Sequence, residues 1–553
     1  GGACAALVSS TLLGLASCGG DEPAASADPV PTATTEILVT SEAGDRLATK
    51  PNATFRQGRA GGTVIEIWPE RTRQTLHGIG SSFTESSAFV LAHLDPDARR
   101  KVMHDIFGQD GANFSMARTT IGSTDFSVEG KYSYAAIAGD AALEHFSIGV
   151  DTDGFSRDEY PGIRDESFDL LPMIREALAI KAAQDETDLR IVASAWTAPP
   201  WMKDIEDWYY RPAGEIGMEG TGGVLKDAYV STFADYLVKY LDAYASEGVD
   251  IWGLTPVNEP HGISCNWESM LFTPESQNEF IKTHLGPALA ASGHDDVNVL
   301  IFDQNRDELE HWTDVILADP ETAPYVHGTA VHWYSSTVKV YEDKLDRVQE
   351  KFPDFEIINT EATIDNLGVP AGGGILDPDR YTESGWFGND EWWWNENATD
   401  WAYSATWAPN VDDHPIYTPV HRYARNIIVS LDHWMTGWID WNVVLDRDGG
   451  PNHVGNFCGA PIMIDTATGE VYYTPVYYVL AQFSRTIRPG DKAVETRRTL
   501  HDLGEDDLHA SAAVSPDGLL SVQLLNTKRE AIRFSLQIGD EYAELEIPAN
   551  AVR

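Results

Sequence analysis

The pattern of apolar and polar residues divides the chain into a long middle and two strand-rich ends. From about Ile37 to Trp68, apolar and polar residues alternate in short runs such as ILVT and TVIEIW. The same alternation returns after about Val494, in HASAAV, LLSVQLLN, AIRFSLQI and YAELEIP. A period of two residues predicts half-buried β-strands. The two ends are therefore expected to contribute strands to one β-sandwich.

In the middle of the chain, each short apolar run is followed by a longer amphipathic stretch, which is typical of a parallel sheet covered by helices. Helices are expected over Ala228–Ala245, Pro274–Ala291 and Val420–His433, among others. The predicted strands are Leu76–Ile79, Phe114–Arg118, Arg190–Ala195, Ile251–Pro256, Val299–Phe302, Gly328–His332, Glu356–Asn359 and Gly437–Trp441. Strands and helices in this number favour an α/β fold of the (β/α)8 TIM-barrel type. An open doubly wound sheet is the alternative, but no glycine-rich dinucleotide turn follows the first strand.

The amino end carries the pattern of an export signal. The run Ala5–Ser17 is apolar, too short to cross a bilayer, and suited to the core of a signal peptide. It ends in Leu15-Ala16-Ser17-Cys18, which resembles a bacterial lipoprotein processing box. We expect secretion across the inner membrane, cleavage before Cys18 and a lipid anchor on its sulfur at the cell envelope. Simple secretion with an incidental Cys18 is the alternative.

These patterns predict an order of domains along the chain. The order is a signal segment (1–18), a flexible Pro/Ala/Ser/Asp tether (19–36), amino-terminal sandwich strands (37–75), the barrel (76–475) and the carboxyl-terminal sandwich strands (476–553).

Composition narrows the class of partner. The net charge of −47 disfavours nucleic acid and anionic lipid surfaces as ligands, so the membrane is reached only through the anchor on Cys18. The chain contains 17 Trp residues, and exposed aromatic rings commonly stack on sugar faces.

The four cysteines of the chain lack metal-ligand or redox spacing, and whether Cys265 pairs with Cys458 stays open. No HExxH, Walker-loop or GxSxG motif occurs, so neither a metal nor a cofactor is expected.

Two glutamates end predicted barrel strands, and TIM barrels react at the carboxyl ends of their strands. Glu259 follows the fourth strand in Pro256-Val257-Asn258-Glu259-Pro260, and Glu361 follows the seventh in Asn359-Thr360-Glu361-Ala362. Retaining glycosidases hold two carboxyl groups about 5 Å apart. The expected roles are acid/base for Glu259 and nucleophile for Glu361, with Asn258 bonded to the sugar 2-hydroxyl. An inverting mechanism would need a wider gap of about 6.5–9.5 Å.

Short motifs in a fixed order connect these glutamates to a known family. Taken together, they resemble glycoside hydrolase family 30, close to its glucosylceramidase branch, over nearly all of the chain from Gly61. The motifs are His77-Gly78-Ile79-Gly80, Phe83-Thr84-Glu85-Ser86, Ser123-Thr124-Asp125-Phe126-Ser127, Trp196-Thr197-Ala198-Pro199, Thr255-Pro256-Val257-Asn258-Glu259-Pro260, Val331-His332-Trp333-Tyr334, Thr360-Glu361-Ala362, Gly437-Trp438-Ile439-Asp440-Trp441-Asn442 and Gly449-Gly450-Pro451-Asn452.

The resemblance implies a TIM barrel with a side sandwich and a pocket for one terminal glucose. It implies that Asp125 and Trp196 hold the outer hydroxyl groups and that Trp441 forms part of the pocket wall. It further implies that Asn452 lies near the pocket rim. The same resemblance implies that Arg118, His332 and Tyr334 support the nucleophile. It also implies that Tyr334 contacts the substrate.

Two departures from the family pattern leave the substrate open. A long aromatic insert, which includes Glu391-Trp392-Trp393-Trp394-Asn395, separates Glu361 from the last barrel strand, and His453 stands where an aromatic residue is usual. The leading hypothesis is hydrolysis of a β-glucosyl bond with net retention in glycosides of the glucosylceramide type. A β-1,6-glucanase with the same mechanism is the alternative within the family. A surface lipoprotein that binds glycans without catalysis is the alternative from another class.

Overall fold

The computed structural model describes residues 35–184, 189–210, 221–262, 266–336, 339–363 and 419–553. The predicted signal segment, nearly all of the tether, Cys265 and the aromatic insert lie outside the described residues. Among the described residues, no helix combines the length and the apolar character that crossing a membrane requires.

Eight parallel strands close into a barrel, which confirms the predicted fold class. Strands that are consecutive in the sequence pair with one another, and the eighth strand pairs with the first. Each observed strand overlaps its predicted run. The strands are β1 (Gly78–Phe83), β2 (Met116–Ile121), β3 (Arg190–Ala195), β4 (Gly253–Thr255), β5 (Asn298–Asn305), β6 (Gly328–His332), β7 (Glu356–Glu361) and β8 (Met435–Asn442).

Side chains fill the barrel towards the amino-terminal ends of its strands and form a small core of their own. Its members come from six strands and are fully buried: Met116, Val192, Leu300, Ala330, Ile358 and Ile439. Close packing between β1 and β2 explains one glycine of the first motif. A Cβ atom on Gly80 would lie 1.6 Å from the carbonyl oxygen of Met116, so no larger residue fits there.

Helices cover the outside of the barrel, as predicted from the amphipathic stretches. The predicted helix over Pro274–Ala291 is continuous but contains a π-helical turn, and its amino end is held by a capping box between Thr273 and Ser276. The α-helices are Glu85–Ala92, Pro96–Phe107, Leu170–Ala182, Val230–Ser246, Pro274–Phe280, Gly286–Ser292, Leu309–Ile316, Glu342–Lys351, Pro419–Asp432 and Pro475–Thr486, with the π turn at Ile281–Leu285.

Strands from both ends of the chain share one ten-stranded sheet, as the alternating patterns predicted. The amino-terminal strand Val64–Thr75 lies between two carboxyl-terminal strands, antiparallel to Lys492–Thr499 and parallel to Ile532–Ile538. Its Ile65 and Ile67 are fully buried in the core of this domain. The other strands are Ile37–Ser41, Ala48–Lys50, Arg56–Gln57, Leu508–Val514, Leu520–Asn526, Glu541–Ile547 and Ala551–Val552.

A small three-stranded sheet follows the barrel, which the sequence pattern did not predict. Val444–Asp446 pairs parallel with Ile462–Asp465, which pairs antiparallel with Glu470–Tyr473. This sheet fixes both ends of the segment that contains Asn452.

Candidate active site

The two predicted catalytic glutamates face each other at the carboxyl-terminal end of the barrel. One carboxylate oxygen of Glu259, one of Glu361 and one ring nitrogen of His332 all lie within 4.8 Å of one another. The Glu259 side chain is 20% exposed and that of Glu361 is 9% exposed, so Glu361 is the more deeply buried of the two. This separation matches the roughly 5 Å gap of retaining glycosidases and falls short of the gap that inversion requires.

The backbone at Glu259 adopts a conformation that is rare for a residue with a side chain. Its φ angle is 48°, in the left-handed region. The amide of Glu259 donates to the carbonyl oxygen of Asp303 at 3.0 Å, so β5 holds the turn after β4 in place. Backbone conformations of this kind persist where surrounding contacts enforce them, and they are frequent at functional sites.

Glu361 is held by two hydrogen-bond donors, one on each carboxylate oxygen. The guanidinium group of Arg118 contacts Oε2, and the hydroxyl of Tyr334 donates to Oε1 at 2.9 Å. Burial raises the pKa of Glu361, and the positive charges of His332 and Arg118 act against that rise. Donors on both oxygens favour a charged carboxylate in one fixed orientation, which suits a nucleophile.

Arg118 connects the nucleophile to the other strand ends. It is fully buried, and its Nη2 donates to Oδ1 of Asn258 at 2.7 Å and to Oδ2 of Asp303 at 2.8 Å. Because Arg118 occupies the carbonyl oxygen of Asn258, the amide nitrogen of that side chain is the group left to face a sugar. The guanidinium carbon lies 4.8 Å from the ring centroid of Trp196 and 5.6 Å from that of Trp441, so Arg118 also contacts both predicted sugar-binding tryptophans.

Asp303 lies at the centre of this network, and the sequence analysis did not identify it. Its side chain is fully buried and accepts hydrogen bonds from residues on five barrel strands. These donors are Arg118, Ser194, Thr255, His332 and Thr360. Burial by itself raises the pKa of Asp303, but the charges of Arg118 and His332 outweigh it and hold the pKa well below its usual range. Asp303 therefore stays charged and fixes its cationic neighbours.

His332 is one of those neighbours. Its Nε2 lies 2.9 Å from Oδ1 of Asp303, and its Nδ1 lies 3.3 Å from Oε1 of Glu259. Burial lowers the pKa of His332, but the charges of Glu361 and Asp303 dominate and raise it to about 9. A doubly protonated ring donates from both nitrogens. At neutral pH, a proton therefore competes with any metal ion for His332, although its position beside two carboxylates resembles a ligand set.

The predicted sugar-binding residues form one wall beside the two glutamates. Trp196 and Trp441 stack with ring centroids 5.1 Å apart and planes inclined by 22°. Asp125 is buried, and its Oδ2 accepts from Asn456 at 2.9 Å and from Asn452 at 3.4 Å. Burial raises the pKa of Asp125 to about 7, although Asn456 acts to lower it. The sequence analysis did not identify Asn456, because the motif in this loop covers only Gly449-Gly450-Pro451-Asn452.

The unusual His453 takes part in the same wall. Its Nδ1 donates to the carbonyl oxygen of Ser127 at 2.9 Å, and its Nε2 lies 3.5 Å from Oε2 of the fully buried Glu268. The carboxylate of Glu268 raises the pKa of His453 despite the opposing effect of burial. The hydrogen bond thus connects the loop after the barrel to the segment that carries Asp125, and the ion pair connects the same loop to Glu268, which follows β4 in the chain.

Comparisons with known proteins agree with this geometry. The profile described as the Glycosyl hydrolase family 30 TIM-barrel domain matches residues 76–369 and 403–487, and the profile of the family's beta sandwich domain matches residues 494–553. The lysosomal acid glucosylceramidase of Mus musculus is 30% identical over 482 residues, which cover 87% of this chain and 80% of that protein. The endo-1,6-beta-D-glucanase of Neurospora crassa is 26% identical over 435 residues, which cover 77% of this chain and 73% of that protein.

The fold is also found among solved structures. The crystal structure of SrfJ from Salmonella typhimurium superposes with a TM-score of 0.73 at 24% identity, covering 94% of this chain and 98% of that one.

Proposed function

The chain belongs to glycosyl hydrolase family 30 and is an O-glycosyl hydrolase, and from this premise we propose that it cleaves β-glucosyl linkages with net retention of configuration. The observation that carries the proposal is the position of one oxygen each from Glu259 and Glu361 within 4.8 Å of one another. A water molecule placed for direct attack on the far face of a sugar requires a wider gap.

In the proposed mechanism, a Glu361 oxygen forms a bond to the anomeric carbon while the glycosidic bond breaks. Glu259 gives its proton to the departing oxygen, which leaves a covalent glycosyl ester on Glu361. Glu259, now a carboxylate, then takes a proton from water as that water attacks the anomeric carbon and releases Glu361. Arg118 and Tyr334 keep the nucleophile aligned during both steps because each occupies one of its oxygens.

For the substrate, we infer a terminal β-glucoside with a lipid aglycone, as in glucosylceramide. Two observations support this choice. The relative named glucosylceramidase matches more closely and over more of the chain than the relative named endo-1,6-beta-D-glucanase. In addition, the stacked rings of Trp196 and Trp441 offer an apolar surface of the kind that binds the face of a sugar ring. The presence of both glutamates disfavours a purely glycan-binding protein.

Product analysis tests the reaction and the substrate together. Glucosylceramide, an aryl β-glucoside and β-1,6-glucan are incubated with wild type, with Glu361→Gln and with Glu350→Gln, an exposed glutamate as the matched control. We expect release of glucose from the first two substrates by wild type and by Glu350→Gln only, and the β-anomer as the first product in proton NMR. Initial release of the α-anomer would contradict retention, and turnover of the polymer alone would replace the lipid aglycone by a glucan.

We further propose that the protein is exported and anchored through lipid on Cys18. The support is the Leu15-Ala16-Ser17-Cys18 sequence that follows a short apolar run. Mass spectrometry of the amino-terminal peptide from cell envelopes should show a diacylglyceryl group on Cys18, and Cys18→Ser should move the protein to the soluble fraction. An unmodified Cys18 in envelope-bound protein would contradict the proposal.

A further inference from the structure

We propose that His77, His327 and Glu356 form a binding site for a divalent transition-metal ion, with Zn²⁺ as the preferred ion, at the amino-terminal end of the barrel. His77 directly precedes β1, His327 directly precedes β6, and Glu356 is the first residue of β7. Because all three residues stand at strand starts, they meet at the end of the barrel opposite Glu259 and Glu361. The site is therefore separate from the catalytic centre.

The three side chains offer the ligand types that zinc prefers, at suitable spacing. One ligand atom from each residue lies within 4.8 Å of the other two. Nε2 of His327 is 3.1 Å from Oε2 of Glu356, and Nε2 of His77 contacts the same oxygen. Ligands on a tetrahedral zinc ion with bonds of about 2.0–2.1 Å are separated from one another by roughly 3.3 Å. Nε2 of His327 and Oε2 of Glu356, 3.1 Å apart, already lie close to that separation.

The nitrogen of His327 provides a second, independent observation. Nε2 of His327 is buried from solvent but makes no hydrogen bond among the described residues, although a carboxylate oxygen lies close to it. Burying a polar atom without a hydrogen bond is unfavourable, and such atoms in folded proteins usually have an explanation. A metal ion between this nitrogen and the Glu356 carboxylate would give the nitrogen a partner.

The backbone holds the ligands rigidly but leaves room for water. The amide of His77 donates to Thr436 at 2.7 Å, and the amide of His327 donates to Val299 at 2.9 Å. The side chains of His327 and Glu356 are 30% and 27% exposed, so solvent reaches the site and can supply the fourth ligand. Three protein ligands and one open position are a common arrangement for zinc.

Arg190 opposes metal binding and supplies the sharpest test. Its guanidinium group contacts Nδ1 of His77, so that nitrogen accepts and Nε2 of His77 carries the proton that faces Glu356. For Nε2 to bind a metal ion, that proton must leave, Nδ1 must become the protonated nitrogen, and Arg190 must turn away. Removing the guanidinium group should therefore strengthen metal binding, whereas a purely structural network would lose stability and gain no affinity.

The experiment uses the full chain and zinc chloride, with isothermal titration calorimetry and thermal unfolding as readouts. Every protein carries Glu361→Gln, so that metal binding at the catalytic carboxylates does not contribute. We expect one bound Zn²⁺ per chain and a rise in Tm of about 2 °C or more with excess zinc. His327→Ala should bind at least about tenfold more weakly, Arg190→Met should bind more tightly, and the exposed control His145→Ala should bind as the parent does.

Equal affinity in the parent and in His327→Ala would overturn the proposal, and so would weaker binding by Arg190→Met that retains its fold by circular dichroism. If His327→Ala does not fold, His327→Gln gives the same comparison with a side chain of similar size. In the background that keeps Glu361, His327→Ala should retain wild-type kcat on an aryl β-glucoside because the site lies at the other end of the barrel.

Discussion

The Nε2 atom of His332 lies 2.9 Å from Oδ1 of Asp303, and neither side chain is exposed to solvent. This ion pair fixes the imidazolium ring so that its other nitrogen points towards Glu259. Asp303 also accepts from Arg118, which contacts Glu361. One buried carboxylate thus orients the cations beside both proposed catalytic glutamates without contacting either of them through its side chain.

Asp303→Asn should reduce kcat on an aryl β-glucoside by about 10²-fold or more. The amide removes the charge that holds His332 and Arg118 in their positions, and misplaced electrostatic groups in active sites have costs of this order. Steady-state kinetics with circular dichroism measures the effect, with the exposed Asp354→Asn as the control. A loss of less than about threefold in folded Asp303→Asn would contradict the positioning role.

The stability of the protein should fall in alkaline solution because of His332. Its pKa is about 9 in the folded state, against about 6.5 when unfolded. The contribution of the imidazolium is therefore complete below about pH 6.5 and is lost as the pH rises through 9. At 1.36 kcal/mol for each pKa unit, the loss is about 3 kcal/mol.

Urea unfolding at pH 6 and pH 9.5 measures this effect. The free energy of unfolding of wild type should fall between these pH values by about 3 kcal/mol more than that of His332→Gln, in which the titrating ring is absent. The exposed control His145→Gln should behave as wild type. The same pH dependence in all three proteins would show that His332 is not charged in the folded state.

Asn456→Ala should weaken substrate binding most strongly in mildly acidic solution. Burial raises the pKa of Asp125 to about 7, and the hydrogen bond from Asn456 keeps it from rising further. Without that donor, Asp125 is protonated at a higher pH and loses the charged acceptor that we predict for sugar hydroxyl groups. We expect kcat/KM to fall about tenfold at pH 6 and less at pH 8, with the change mainly in KM.

The pH profile of kcat/KM for wild type, Asn456→Ala and the exposed control Asn52→Ala tests this prediction. A uniform loss at every pH would indicate that Asn456 acts on the sugar alone and does not affect the ionisation of Asp125.

Disrupting the small core at the amino-terminal end of the barrel should reduce the stability of the protein strongly. Leu300 is fully buried there among side chains from other strands. Leu300→Ala leaves a cavity and should reduce the free energy of unfolding by about 2–5 kcal/mol, as measured by urea unfolding. Leu519 is 70% exposed, and Leu519→Ala should change stability by less than about 0.5 kcal/mol. Similar values for the two variants would contradict the assigned packing.

The barrel could be predicted from sequence because parallel strands read as short apolar runs whose polar ends meet at one face. Glu259 and Glu361 were predicted as site residues for this reason, whereas Arg118 was predicted from the family resemblance. Asp303 was not, because its strand contains an irregularity that has no sequence signature. Ala330 pairs with Phe302 and Val331 pairs with Gln304, which leaves Asp303 as the extra residue of a bulge.

Both residues at this irregularity, Phe302 and Asp303, have left-handed φ angles, of 74° and 67°. Bulges near active sites re-aim a side chain, and here the extra residue is the acid that organises the cations. The predicted strand ended at Phe302, one residue before Asp303 and three residues before the observed end at Asn305. The only available signal was an acidic residue directly after the buried run VLIF.

The position of Val64–Thr75 between two strands from the other end of the chain has a consequence for biosynthesis. During translation this segment leaves the ribosome long before Lys492–Thr499 and Ile532–Ile538 are synthesised. Until then, Ile65 and Ile67 are exposed to solvent, and the backbone groups on both edges of the segment have no strand to pair with. Nascent segments of that kind are natural clients for chaperones. Proteolytic removal of the last strands would therefore expose Val64–Thr75, the part of the domain that is synthesised early, in addition to shortening the chain.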